Sequence, residues 1–188
     1  MVTLLTGHMS ATLPALAFEG ATKRTKPTLR PGALVYARVV SCDRHAEPEL
    51  SCVDPTTGKA DGLGELRVSD RDVGYATIVR VHPSFAVALL RPSSSSDEGG
   101  EEEKGGHTLL PVASTFFPFE AAIGLNGIVW IRADKPQHLI ALQRLLTAAD
   151  GVVAQPSAGL EDLTAQQYIK RRGRIGKPQI ETIIKPFL

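Results

Sequence analysis

In Tyr75–Val81 (YATIVRV) the side chains of Tyr75, Thr77, Val79 and Val81 fall on one side of an extended chain, the period-two signature of a half-buried strand. Leu34–Val40 (LVYARVV) is β-branched and apolar, follows the turn signal Pro31-Gly32, and predicts another strand. Pro48–Val53 (PELSCV) predicts a short third strand, and the glycines at 58, 62 and 64 mark a tight connection after it. Short strands joined by glycine turns suggest part of a small barrel. His82-Pro83 opens an apolar stretch, Ser84–Leu90, whose length suits a two-turn helix. Leu109–Phe116 reads as a short helix stopped by Pro118. Phe119, Ala121 and Ile123 alternate as a strand, as do Ile128, Trp130 and Arg132. A helix follows, with Asp134 as its N-cap and Pro136 in its first turn; Leu139, Leu142, Leu146 and Ala149 share one face, and Asp150-Gly151 ends it.

The order from Tyr75 to Asp150 is thus strand, helix, helix, strand, strand, helix. That βααββα sequence is the element order of a KH-type domain. The expected class is α+β: a partial S1-like OB barrel over residues 1–72, a KH-type domain over 73–152, and a C-terminal tail of uncertain order over 153–188. Within the second domain, 93–106 (SSSSDEGGEEEKGG) has almost no apolar side chain to bury and reads as a mobile acidic loop insertion. The tail holds a polar helical pattern around Asp162–Arg172.

Composition narrows the class further. Of 188 residues 43% are hydrophobic, enough to build a core, while aromatics are only 5% beside 17 Gly and 13 Pro, which favours short strands and turns over a helical bundle. The net charge of +1 hides segregation, with Glu101, Glu102 and Glu103 in one run and Lys170, Arg171, Arg172 and Arg174 in another. The basic run reads equally as a nucleic-acid patch or as a solvated basic end. Two cysteines, Cys42 and Cys52, make no secreted disulfide framework, so a reduced compartment is expected. No apolar run reaches the ~18 residues of a membrane span, and Met1–Ser10 lacks a secretory pattern, so no membrane partner is expected.

Gly124-Leu125-Asn126-Gly127 admits two readings. A G-x-x-G tetrapeptide is the loop with which KH domains clamp single-stranded RNA, but that clamp lies between the first two helices. Here the tetrapeptide joins two strands, where Asn126-Gly127 fits the centre of a type I′ turn with φ > 0 at both residues. The clamp position instead carries the acidic run, which repels phosphate. Gly124, Asn126 and Gly127 are therefore assigned a structural turn.

Catalytic and metal chemistry find little footing. His45 between Cys42 and Cys52 lacks the paired spacing of a structural zinc site, so no metal ligands are assigned. There is no G-x-S-x-G elbow, P-loop or H-E-x-x-H motif to accompany His82, His107 or His138 as a base. Asp61, Asp70 and Asp72 sit among turn residues and read as turn formers rather than as magnesium ligands. Trp130 reads as core more readily than as a base-stacking platform.

Several motifs taken together carry a more specific signal. Phe18-Glu19-Gly20-Ala21-Thr22-Lys23-Arg24, Glu47-Pro48-Glu49-Leu50 with Cys52-Val53-Asp54, Gly58-Lys59-Ala60-Asp61-Gly62-Leu63-Gly64, Pro118-Phe119-Glu120 and Gly124-Leu125-Asn126-Gly127 resemble RNA exosome cap subunits that join an S1-like OB domain to a KH domain. The resemblance covers about Ala11–Asp150. It implies a non-catalytic subunit without cofactor that sits on RNase PH-like ring subunits beside other cap subunits. Such a subunit holds the ring together and leads single-stranded RNA into the channel for 3′–5′ processing and degradation. It also implies a location in the nucleus and nucleolus, and in the cytoplasm. RNA contact in such proteins falls to basic loops of the OB domain, here Lys23, Arg24 and Lys26, and the G-x-N-G turn is implied to pack at the interface of the two domains. A free-standing OB/KH module for single-stranded RNA is the alternative. With only about 17 residues before Phe18, the N-terminal domain and first barrel strands of the family are expected to be absent.

Overall fold

The computed structural model describes residues 1–5, 10–66, 74–90, 109–151, 175 and 177–187. The acidic loop 93–106, His107, Asp70, Asp72, the helical pattern at 162–172 and the basic run 170–174 lie outside the described residues. The chain divides into two compact units, Met1–Arg67 and Val68–Leu188.

The first unit is built from six short strands. β1 (Val2–Thr3) pairs antiparallel with β2 (Ser10–Ala11), β3 (Leu34–Tyr36) with β6 (Gly64–Leu66), and β4 (Arg38–Ser41) with β5 (Glu49–Ser51). Thr12 makes a parallel bridge to Glu49, with its N–H donating to Pro48 O at 2.9 Å and its carbonyl accepting from Leu50 N–H at 2.8 Å. The single strand expected over Leu34–Val40 is corrected to two, interrupted at Ala37. The physical reason is a change of partner: β3 faces β6, β4 faces β5, and the chain must bend to serve both, as at the corners of small barrels. A register shift between Val39 and Ser41 adds to the bend. Among the described residues of this unit, Ala11, Pro48, Leu50 and Cys52 are buried.

The second unit is a three-stranded antiparallel sheet with helices packed on it. β7 (Tyr75–Arg80) and β8 (Glu120–Ile123) flank β9 (Ile128–Ala133), giving the order β7-β9-β8. Among the described residues its helices are α1 (Pro83–Leu90), α2 (Leu109–Ser114), α3 (Pro136–Gly151) and α4 (Lys177–Ile184), the last followed by a 3-10 turn, Lys185–Phe187. From β7 to α3 the order is the expected βααββα. Alternation holds on β7, where Val79 is buried and Ile78 is 36% exposed. On β9 Val129, Ile131 and Ala133 are buried on one face as alternation requires, and Trp130, on the other face, is the exception at 7% exposed.

Two readings at the C-terminal side need correction. Leu139 N–H donates to Lys135 O at 3.3 Å, so the first helical bond of α3 makes Lys135 the N-cap rather than Asp134. Pro136, which has no N–H to satisfy, takes the first helical position. The tail, left without a firm element by the sequence, contributes α4 to the core. Ile180 and Ile184 are fully buried, α4 packs on α2 and α3, and the Arg144 guanidinium lies 5.1 Å over the Phe187 ring.

Candidate nucleic-acid interface and the Gly-Leu-Asn-Gly turn

The motifs scattered through the first unit meet in space. Ala17 O accepts from Cys52 N–H at 2.9 Å, and the Glu19 carboxylate accepts from Ala60 N–H at 2.8 Å, tying the FEGATKR segment to both CVD and GKADGLG. Asp54 organises the last of these: its Oδ1 accepts from Thr56 N–H at 2.6 Å, its own N–H donates to Lys59 O at 2.8 Å, and its carbonyl accepts from Gly58 N–H at 2.9 Å. The backbone N–H of Thr56, more than any other influence, holds the Asp54 carboxyl below its usual pKa. Asp61 has φ +45°, which fits the turn-forming role read from the sequence rather than a rigid metal ligand.

Lys23 and Arg24 occupy the apex of a tight turn. Thr22 N–H donates to Thr25 O at 2.9 Å, and Thr25 N–H donates back to the Thr22 hydroxyl at 3.0 Å. The two threonines spend their polar groups on each other, which leaves the two long cationic side chains pointing away from the closure. Lys23, Arg24 and Lys26 are all exposed, and among the described residues no carboxylate forms an ion pair with any of them.

The Gly124-Leu125-Asn126-Gly127 tetrapeptide joins β8 to β9, and its turn type differs from expectation. Gly127 N–H donates to Gly124 O at 3.0 Å and Gly124 N–H to Ile128 O at 2.8 Å; only Gly127 has positive φ, at +79°. Asn126 is thus not in the left-handed region, and the loop is a three-residue hairpin with a glycine bulge rather than a type I′ turn. The reason lies in the Asn126 side chain, whose Oδ1 accepts from Ile128 N–H at 3.2 Å and closes the turn from a right-handed backbone. Each motif residue then has a physical role. A side chain at Gly124 would run into Asn126 Oδ1, and one at Gly127 into the Val81 carbonyl. Gly127 O meanwhile accepts from Val81 N–H at 2.8 Å, fastening the hairpin to the end of β7 just before α1.

Other candidate groups serve the fold. The Ser84 hydroxyl lies 2.6 Å from His82 Nδ1, but the same nitrogen accepts from Ser84 N–H at 3.2 Å, so His82 caps α1. Asp150 reaches the backbone N–H of His82 at 3.1 Å, not its ring, unlike the carboxylate of a nucleophile–base–acid triad. His138 stacks on Phe117 at 4.3 Å; burial foremost, and then Lys135, depress its pKa against an opposing pull from Asp134. Trp130 is 7% exposed, flanked across the sheet by Ile78 and Ala122, and is core rather than a stacking platform. Cys42 is exposed and Cys52 buried, both as free thiols. Among the described residues no group of three His, Cys, Asp or Glu side chains is placed to hold a metal ion.

Two features escaped sequence reasoning. Glu19 looked like one more charge in a motif, yet it bridges two loops 41 residues apart. A shallow cleft beside Phe18, between it and Pro27, had no periodic signal because most of its walls come from irregular chain.

A β-rich unit followed by a βααββα unit defines the class of S1–KH proteins, and comparison with known sequences agrees: residues 1–64 match the family model described as the S1 domain of exosome complex component RRP40, and residues 77–137 match a KH domain model. In both units the chain is similar to RRP40 proteins. It is 42% identical over 124 residues to exosome complex component rrp40 of Schizosaccharomyces pombe, covering 66% of this chain and 44% of that protein. Against RRP40 of Saccharomyces cerevisiae the identity is 31% over 167 residues, 89% of this chain and 61% of the relative. Against the human protein it is 29% over 144 residues, 77% and 45% respectively. The chain thus spans about half the length of the curated relatives it matches. A crystal structure described as that of an exosome complex RNA-binding protein has a similar fold, with a TM-score of 0.53 at 17% identity over 96% of this chain and 83% of that one.

Proposed function

We propose that this chain serves as a non-catalytic, RNA-binding cap subunit of the RNA exosome, seated on RNase PH-like ring subunits beside other cap subunits. There it stabilises the ring and guides single-stranded RNA into the channel for 3′–5′ processing and degradation. Its place of action is the nucleus and nucleolus, with a further share in the cytoplasm. One observation carries the RNA part of this reading: the Thr22–Thr25 turn presents Lys23 and Arg24, with Lys26 beside them, exposed and, among the described residues, without carboxylate partners. Cations displayed in this way attract a phosphate backbone and release its counterions on contact, without regard to base sequence. The names of the relatives support the assembly part.

The test is a ring reconstituted with the chain or with its Lys23→Ala/Arg24→Ala variant, followed by nuclease protection of a threaded RNA. The variant keeps the fold, because both side chains are exposed, and is expected to lose protection with a shallower salt dependence. Unchanged protection would remove these residues from the RNA path.

A further inference from the structure

We infer that Glu19 is a positioning residue for RNA: its carboxylate, though of the same sign as the phosphates, strengthens RNA binding by holding the basic turn in place. This rests on the RNA-binding part of the proposed function and adds to it a residue that itself touches no RNA. The Glu19 carboxylate accepts from Ala60 N–H at 2.8 Å, across 41 residues of sequence. The donor belongs to a loop that is itself closed. Asp54 N–H donates to Lys59 O at 2.8 Å, Gly58 N–H to Asp54 O at 2.9 Å, and Leu63 N–H to Ala60 O at 2.8 Å. Ala60 N–H is thus a fixed point for the Glu19 side chain.

From Glu19 the constraint reaches the cations through short backbone closures. Phe18 O accepts from Ala21 N–H at 3.1 Å, with Gly20 at φ +69° making the turn between them, and Thr22 and Thr25 then close the next turn, which carries Lys23 and Arg24. Among the described residues no hydrogen bond ties residues 20–26 to another segment. The segment is held at its root by the Cys52 N–H to Ala17 O bond and, nearer the cations, by Glu19. Losing the nearer hold frees the turn to sample orientations in which Lys23, Arg24 and Lys26 no longer meet one RNA backbone together, and ordering it again on the RNA costs affinity. The opposing effect is charge, since a carboxylate four residues before Lys23 repels phosphate. Glu19 is exposed, so water and salt screen that repulsion. A hydrogen bond to a carboxylate outweighs a screened interaction between surface charges, and the bond decides the sign.

The experiment uses fluorescence anisotropy of a labelled single-stranded oligouridine with the full chain and three variants, each titrated over a range of salt. Glu19→Ala should weaken binding about 3- to 10-fold, the factor that loss of one such hydrogen bond can transmit, and flatten the salt slope because fewer phosphates are met at once. Glu19→Gln keeps an acceptor for Ala60 N–H and sheds the charge, so it should bind about 2-fold more tightly than the parent. Amide hydrogen exchange reads the bond itself: Ala60 N–H should be protected in the parent and in Glu19→Gln and open in Glu19→Ala. Leu50 N–H, bonded to Thr12 O at 2.8 Å, should stay protected in all three. Loss of protection at Leu50 as well would mean that Glu19 holds the fold rather than the turn, and would overturn the inference. Affinity of Glu19→Ala equal to or above that of the parent would overturn it too, as would a Glu19→Gln variant as weak as Glu19→Ala. Lys23→Ala/Arg24→Ala, the third variant, should weaken binding and lower the salt slope. If it does so while Glu19→Ala leaves affinity alone, only the positioning role fails; if it binds RNA like the parent, the RNA reading fails and the positioning role with it.

Discussion

Replacing Gly127 with alanine puts one carbon where two constraints meet. The residue has φ +79°, and left-handed backbone costs a residue with a Cβ roughly 1–2 kcal/mol. The added methyl also runs into the Val81 carbonyl, so the hairpin must retreat from the end of β7 and stretch the 2.8 Å bond from Val81 N–H to Gly127 O, worth ~0.5–1.5 kcal/mol. The two add to about 1.5–3.5 kcal/mol, a large part of the ~5–15 kcal/mol that holds a typical domain. Trp130, the only tryptophan, sits three residues along β9 and reports unfolding of this unit in urea. With a slope of ~1–3 kcal/mol per molar urea the midpoint should fall by about 1–2 M. Gly127→Asn separates the causes, because asparagine tolerates left-handed backbone but carries the same Cβ. It should recover the backbone part, about 1–2 kcal/mol, and keep the part due to Val81, and Gly127→Val should be worse than either. An alanine variant within about 0.5 kcal/mol of the parent would refute the reasoning, since surface changes without a structural cause fall in that range. Full recovery by asparagine would refute the part played by Val81.

Other outcomes follow from the same geometry. The His138 pKa is depressed below its ordinary 6.5, so the stability contributed by its neutral ring on Phe117 is complete above about pH 6.5 and is lost as pH falls through the folded-state value. Comparing urea midpoints of the parent and His138→Gln from pH 7.5 to 5 should show the steeper decline in the parent. Ile180→Ala empties a fully buried position under α4 and should cost about 2–5 kcal/mol in the same assay, a loss that a merely appended tail would not show. Burial pushes the Cys52 thiol up to about 11, so a disulfide reagent at pH 8 should modify Cys42 quickly and Cys52 only on unfolding.

Where local pattern and tertiary environment agree, the sequence was sufficient. Val79 and Val81 are buried between exposed neighbours because β7 lies at the sheet edge with one face on the core, and Leu142, Leu146 and Ala149 share a face because α3 has a single buried side. Reading failed where a partner distant in sequence decides the outcome. LVYARVV looks like one strand, and only the positions of β5 and β6 break it at Ala37. Asn126-Gly127 suggests a two-residue turn until the Asn126 side chain bonds Ile128 N–H and the bend centres one residue earlier, on Leu125-Asn126. Ile180, Ile183, Ile184 and Phe187 do carry helical spacing, but α4 follows a long polar interval, and eight residues are too few to form a helix without the packing of α2 and α3 beneath them. In the candidate interface, Lys23 and Arg24 were legible as a basic loop, whereas the bond from Ala60 N–H to Glu19, which ties that loop to the GKADGLG segment, was not.

The cap role is tested most directly by mixing the chain with purified RNase PH-like ring subunits and measuring the mass and stoichiometry of what elutes together. The account predicts a stoichiometric complex that survives sizing and shows no RNA turnover of its own. A chain that stays soluble and monomeric beside an unaltered ring, while binding single-stranded RNA alone, would contradict it and leave a free-standing RNA-binding module in its place.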